Sequence, residues 1–331
     1  MEPNNNSNYR LKEVPIDSKW DKFVELSSNG TSFVSSCFLK SLDINVKAYF
    51  CYKSDEIMAA IICILSADGK EIIGHDFVIY DGLIYKDLSY LNLAQQISER
   101  FKILEFVSYS IEEMFQKVTL RLHPSIKDMR GFLWHNYHNV EGRKYIPNIL
   151  YTAYVNILDF NKSSVLEDIE LYKSASVARR QEIRYAIKKS VSTSRSDDIE
   201  SFLDYYRKTL ERQDIATDDS RLNEMSNLIK NLLDNKSGIM FSSENKDGKV
   251  GSMAFYLIDN KRAYYLFGVS DPDMRKEHTG TAVLWDSFYK LSELGIKEVD
   301  LEGVNSPNRG WFKLSFGGQL IPYYQISLNN N

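Results

Sequence analysis

The apolar positions of the chain change period, and each change marks an element. Short runs crowded with apolar and β-branched residues at 47–53 (KAYFCYK), 57–66 (IMAAIICILS) and 71–85 (EIIGHDFVIYDGLIY) predict strands, bounded by turn signals at Asp68-Gly69 and Asp81-Gly82. A helix precedes them at 17–28 (DSKWDKFVELSS). A helix at 91–107 (LNLAQQISERFKILEFV) and a strand at 117–123 (KVTLRLH) follow. The strand at 151–158 (YTAYVNIL) then opens a new unit.

The second unit starts with helices. Residues 174–190 (SASVARRQEIRYAIKKS) place Val177, Ile183 and Ile187 at helical spacing behind a serine suited to the N-cap, and 197–213 (DDIESFLDYYRKTLERQ) begins on an acidic turn. A third helix spans 220–236. The runs 238–245, 249–259 and 262–270 are joined by tight turns at Asp247-Gly248 and Asp259-Asn260, which predicts an antiparallel meander. A loop at 271–280 leads to an amphipathic helix at 281–294, ended by Gly295, and to a short strand at 297–303.

Composition narrows the class. At roughly 150 residues per domain, 331 residues favour two domains. A net charge of −4 and a pI near 5.8 give no general attraction to nucleic acid or an anionic membrane, so any anion must be held by a local cluster. The longest apolar run, Ile57 to Leu65, is far short of the ~20 residues that span a bilayer and predicts a buried strand. The first residues, MEPNNNSNYR, lack the basic start and apolar core of a secretory signal. Cys37, Cys51 and Cys63 have no metal-type spacing, which points to reduced thiols in a cytoplasm. His135 and His138 stand three apart with no third ligand, so no metal is expected.

Three stretches carry candidate chemistry. The run EHTGTA, Glu277 to Ala282, opens a helix after a strand and so aims unpaired N–H groups and a positive dipole end at whatever lies there. It is either an anion site or an ordinary helix start capped by Thr279. Arg179, Arg180, Arg184, Lys188 and Lys189 form either a cationic cluster or a solvated helix face. In GWFKLSFGGQLIPYY, Gly310 to Tyr324, a tight turn explains Gly317-Gly318, but Lys313 sits in an apolar run where it suggests a ligand.

The order of elements from Ala175 onward, with RRQEIRYAIKK, FLDYYRKTLERQ, YYLFGVS and the closing LEGVNSPNRGWFKLSFGG, resembles the Fem-type branch of the GNAT superfamily of N-acyltransferases. The most specific element is FKLSFGG. Ile183-Arg184-Tyr185-Ala186 departs from the usual basic helix core by a tyrosine, and Asp81-Gly82-Leu83 stands where Arg-Gly-Pro is common. The resemblance implies a mixed α/β fold of α+β type. It has two GNAT-like domains, each a mostly antiparallel sheet flanked by helices, facing each other across a cleft. The first would span 1–155, joined by the C-terminal strand 319–331, which returns to it; the second, 156–318, would bind the acyl donor.

The resemblance implies transfer of an acyl or aminoacyl group to an amine, with acyl-CoA or aminoacyl-tRNA as donor. No inserted helical hairpin or basic surface of the tRNA-dependent kind is evident, so acyl-CoA is favoured and no nucleic-acid partner is expected. Without a membrane anchor or membrane insertion, a soluble acceptor fits, most simply a nucleotide-linked amino sugar of surface-polysaccharide synthesis. Coenzyme A would lie along Phe267, Gly268 and Val269, with its pyrophosphate at Thr279, Gly280, Thr281 and Ala282. His75, Tyr80, Arg184, Arg212, Phe312 and Lys313 would hold the acceptor. Asp81 and Glu302 would orient or deprotonate the amine, since each ends a strand and is followed by glycine, and Asn305 would position the sugar. The alternatives are an aminoacyl-tRNA-dependent Fem-type peptidyltransferase acting on a cell-wall precursor, and a noncatalytic GNAT-like binding protein, because Glu277 replaces the cation or amide usual at the start of the CoA fingerprint.

Overall fold

The computed structural model describes residues 8–160, 163, 165–211 and 218–329. The amino-terminal stretch read above for a secretory signal lies, up to residue 7, outside the described residues. The chain divides into two compact units, Met1–Leu150 with Pro322–Asn331, and Tyr151–Ile321.

The first unit begins with strand β1 (Tyr9–Val14), helices α1 (Ser18–Leu26) and α2 (Ser36–Lys40), and strands β2 (Asn45–Lys53), β3 (Glu56–Leu65), β4 (Glu71–Ile72) and β5 (Leu83–Tyr85). Helix α3 (Leu93–Met114), strand β6 (Lys117–Arg121) and the short helix α4 (Arg130–Leu133) follow. Local chemistry starts the helices where the sequence suggests: the Asp17 carboxylate accepts from the amides of Lys19 and Trp20, and Asn92 and Gln95 form a reciprocal capping box on α3. Strands β1, β2 and β3 pair antiparallel, and β3 continues to β4 and β5. Strand β3 is apolar at every position after its first two because both of its faces are covered. Ala59, Ile61, Cys63 and Leu65 share a core with Ile103, Leu104, Val107 and Ile111 of α3.

Of the strand expected over 71–85, only its two ends pair. The segment between them is pinned to one arginine instead: Arg121 Nη1 donates to the carbonyls of His75 and Val78, and the Arg121 carbonyl accepts from the amides of Asp81 and Gly82. A backbone committed to one side chain and one carbonyl has no ladder left to extend.

The second unit is entered along strand β7 (Tyr145–Asn156). Helices α5 (Glu170–Ser174), α6 (Val177–Lys188), strand β8 (Ser192–Arg195), helices α7 (Ile199–Glu211) and α8 (Asp219–Asp234), and strands β9 (Gly238–Glu244), β10 (Val250–Ile258) and β11 (Ala263–Ser270) follow. Helix α9 (Thr279–Glu293), strand β12 (Glu298–Asp300), helix α10 (Pro307–Leu314) and strand β13 (Gln319–Leu328) close the chain. The Ser176 hydroxyl caps α6 by accepting from the Arg179 amide at 3.2 Å. The sheet of this unit runs β7-β12-β11-β10-β9-β8, antiparallel except for the parallel pair β11 and β12. Tyr256 points to α9, where its hydroxyl lies 2.6 Å from that of Ser287. Its neighbour Phe255 points the other way, towards Leu232 of α8 beside Gly238.

The paired glycines after α10 have a packing reason. A Cβ on Gly317, whose φ is +89°, would stand 2.8 Å from the Ser174 backbone, and one on Gly318 would stand 3.2 Å from Val155 and 3.3 Å from the Tyr154 carbonyl. The chain passes here against α5 and β7 before the end of β13 pairs with β6, Gln325 opposite Arg121 and Leu328 opposite Val118.

Candidate active site

Two features of the second unit open its sheet at one place. Strand β11 is registered with β12 only at Ala263 and Tyr264, since β12 ends at Asp300. Beyond Tyr264, no strand among the described residues is registered with that edge of β11. On its other edge the register with β10 slips: Tyr256 faces Tyr265, while Phe255 faces Phe267, so Leu266 is an extra, bulged residue. The splayed edge and the bulge coincide over Tyr265 to Gly268.

The start of α9 is fastened beside this edge. Ser252 Oγ lies 3.0 Å from both Ser270 Oγ and Thr279 Oγ1, tying the ends of β10 and β11 to the first helical turn. His278, in the left-handed region at φ 63°, turns the chain into the helix. Thr279, Thr281 and Ala282 are buried, and the two hydroxyls face inward: Thr281 Oγ1 accepts from Arg179 and donates to Glu182 at 2.7 Å. What the helix start offers outward is backbone N–H and the open side of Gly280, where a Cβ would meet nothing closer than Ser270 Oγ at 3.4 Å. Glu277 is paired with Lys189 at 3.2 Å, which offsets its charge.

Of the basic residues of α6, one is committed to packing. Arg179 is buried, with its guanidinium over the rings of Phe312 and Phe316 at 4.4 and 4.5 Å and its Nε donating to Ser315 Oγ at 2.9 Å, so it ties α6 to α10. Arg184 is exposed and donates to the Tyr172 hydroxyl at 2.6 Å. Arg212 lies outside the described residues.

A cluster of buried charge stands where β12 ends. Asp300 and Glu302 are both buried, and Asp300 Oδ1 accepts from the Glu302 amide at 2.8 Å and from the Thr152 hydroxyl. Glu302 takes a φ of 50°, a costly conformation for a residue with a side chain, and its Oε1 is buried without a hydrogen-bond partner. From α10, Lys313 Nζ donates to the carbonyls of Leu301 at 2.6 Å and Glu302 at 3.2 Å and lies 5.0 Å from the centre of the Tyr265 ring. Burial, with Asp300 adding to it, raises the Glu302 carboxyl well above the usual range. Burial pushes the Lys313 ammonium down to about 8 against the pull of both carboxylates. A carboxyl with a raised proton affinity and an unpartnered oxygen is suited to take a proton.

Asn305 is spent on the backbone. Its Oδ1 accepts from the Tyr151 amide at 2.6 Å and its Nδ2 donates to the Tyr151 carbonyl at 3.0 Å, as a neighbouring strand would.

The remaining sequence candidates lie in the first unit. Asp81 is buried, its Oδ1 accepting from the Arg121 amide at 2.6 Å and its Oδ2 without a partner; burial pushes its carboxyl up to about 6. His75 Nδ1 accepts from the Phe77 amide at 3.2 Å. Tyr80 is packed edge-on against Phe33, His123 and Tyr323. No group of three or more acidic, histidine or cysteine side chains among the described residues could hold a metal, and no described helix is long and apolar enough to cross a membrane.

Sequence reading passed over Tyr265, Asp300 and the role of Arg179. Asp300 stood two residues before Glu302 in KEVDLEG, a spacing that places both on one side of an extended segment and could have been read.

Residues 177–310 match the acetyltransferase (GNAT) domain family. The chain is similar in fold to FemX, at 13% identity over 95% of this chain and 96% of that one with a TM-score of 0.63. It is also similar to a tandem GNAT protein from the clavulanic acid biosynthesis pathway, solved without acetyl-CoA, at 9% identity over 97% and 98% with a TM-score of 0.51. A third neighbour is the C-terminal domain of a putative lysylphosphatidylglycerol synthetase from Agrobacterium fabrum, at 11% identity over 95% and 92% with a TM-score of 0.51. No curated protein matches the chain. The fold is thus an acyltransferase fold of mixed α/β type. Residues 177–310 thus match a GNAT domain, and the fold of the chain is similar to that of FemX and of a tandem GNAT protein.

Proposed function

We propose that the protein is an N-acyltransferase that takes its acyl group from acyl-CoA and gives it to the amine of a soluble acceptor, a nucleotide-linked amino sugar. The observation that carries this reading is the opening of the sheet at Tyr265 to Gly268, directly beside the first turn of α9. An unpaired strand edge can bind an extended pantetheine through backbone hydrogen bonds, and helix N–H groups favour a pyrophosphate. Phe267, Gly268 and Val269 would line the arm, and Thr279 and Gly280 would hold the phosphates through their backbone, since the amides of Thr281 and Ala282 donate to the His278 carbonyl at 3.1 and 3.0 Å.

Glu302 is the base in this account. Acyl transfer needs a neutral amine, so a proton passes from the acceptor ammonium to Glu302 Oε1, the nitrogen attacks the thioester carbonyl, and the C–S bond breaks to release CoA thiol and the amide. Lys313 keeps one N–H for the acceptor after its two backbone contacts. Arg184 and Phe312, of the same unit, are assigned to the acceptor. Cytoplasmic nucleotide sugars suit the chain's acidic balance, which favours no polynucleotide.

The test is release of free thiol from acetyl-CoA in the presence of a panel of nucleotide-linked amino sugars, with the product identified by mass. Turnover that needs both substrates supports the reading. Thiol release with none of them, combined with transfer from aminoacyl-tRNA, assigns the protein to the peptidyltransferase class instead.

A further inference from the structure

Tyr265 lies beside Lys313, its ring centre 5.0 Å from Nζ. Its side chain folds back along β11 over Gly268, so closely that a Cβ on Gly268 would stand 1.6 Å from the phenol oxygen. Only glycine leaves the room the phenol fills. The ring is held on its neighbours: it lies 5.5 Å from the ring of Tyr256, which is itself fixed through Ser287, and 5.0 Å from Lys313 Nζ. Lys313 in turn touches the backbone of Glu302, the residue with the free buried oxygen. The phenol therefore stands within one side chain of the proposed base and lies on the exposed backbone of Gly268, at the bulge where the sheet opens.

We propose that Tyr265 is the residue that sets acyl-chain length, closing the site beyond the thioester so that a short acyl group is accepted and longer ones are rejected. This rests on the acyl-CoA reading above. In this proposal the thioester served by Glu302 directs its acyl carbon at the volume that the phenol over Gly268 already fills. On this placement each methylene beyond an acetyl methyl must displace a ring held between Tyr256 and the Gly268 backbone. A mismatch of one methylene in an apolar pocket costs roughly 10–200-fold in specificity. No covalent role is assigned to the phenol.

The test compares kcat/KM for acetyl-, butyryl- and hexanoyl-CoA in the wild-type protein and in Tyr265→Phe and Tyr265→Ala, with CoA affinity measured calorimetrically on each. The wild type is expected to prefer acetyl over butyryl by at least ~10-fold. Tyr265→Phe, which keeps the ring, retains the preference, and Tyr265→Ala reverses or erases it while CoA still binds. A wild type that turns over hexanoyl-CoA as readily as acetyl-CoA overturns the proposal without recourse to any variant, as does a folded Tyr265→Ala with unchanged preference. A wild-type protein that binds no CoA overturns the acyl-CoA reading itself, and the calorimetry separates that failure from a failure of the length limit.

Discussion

The Lys313 ammonium holds the backbone of Glu302, donating to the Glu302 carbonyl at 3.2 Å and to the adjoining Leu301 carbonyl at 2.6 Å. Glu302 sits at a φ of 50°, and these bonds help hold it there. Lys313→Met removes both donors and a cation that offsets Glu302 and Asp300. Turnover should fall by ~10²-fold or more, with the CoA dissociation constant changed far less. Lys313→Arg should rescue poorly, because a planar fork cannot reproduce a point donor between two carbonyls. Steady-state kinetics beside CoA calorimetry checks the split; equal losses in both would assign Lys313 to the donor site.

Glu302→Gln keeps the shape and removes the proposed base. Because burial raises the carboxyl, its ionised form is populated only as pH climbs above the usual carboxylate range, so wild-type turnover should show an acidic limb shifted upward. The variant should lose ~10²-fold or more in turnover together with that limb. A pH–rate profile with the limb intact would leave proton transfer to water.

Asp81 makes a prediction about stability. Its carboxyl is pushed up to about 6 by burial, so the folded protein binds a proton more tightly than the unfolded chain does. The stabilisation of the protonated form is fully present below the unfolded value near 3.8 and is lost as pH rises through about 6. Asp81→Asn should flatten this part of the stability curve, a difference of about 3 kcal/mol between its ends. Urea unfolding of both proteins across that range measures it, and parallel curves would show that Asp81 is solvated.

Gly280→Glu tests the donor cradle. The open side of Gly280 admits a longer side chain past Ser270 Oγ, so the fold should survive, but a carboxylate at the helix start repels a pyrophosphate. CoA affinity should drop by ~10-fold or more. An unchanged affinity in a folded variant would place the phosphates elsewhere.

Much of the fold was written in periodicity. The apolar run of β3, the meander of β9 to β11 and the serine before α6 all declared themselves, because burial and capping act through neighbours in sequence. The segment at 73–82 did not, since its conformation depends on Arg121, about forty residues away, and apolar content alone cannot show which backbone groups a distant side chain will claim. Lys313 was legible as a charge in an apolar run, and Glu302 as a strand-end carboxylate followed by glycine. Their mutual relation was not, because it arises from α10 folding back on the end of β12. Arg179 read as one of a basic row, yet its cation lies over two phenylalanines that follow more than a hundred residues later.

The central claim, that the second unit takes an acyl group from CoA, is tested most directly by titrating CoA into the intact chain in a calorimeter and following its thermal unfolding. The account predicts a saturable heat at one site per chain and an unfolding temperature that rises with CoA concentration, as for any ligand that binds only the folded state. No heat and no shift at millimolar CoA would contradict it.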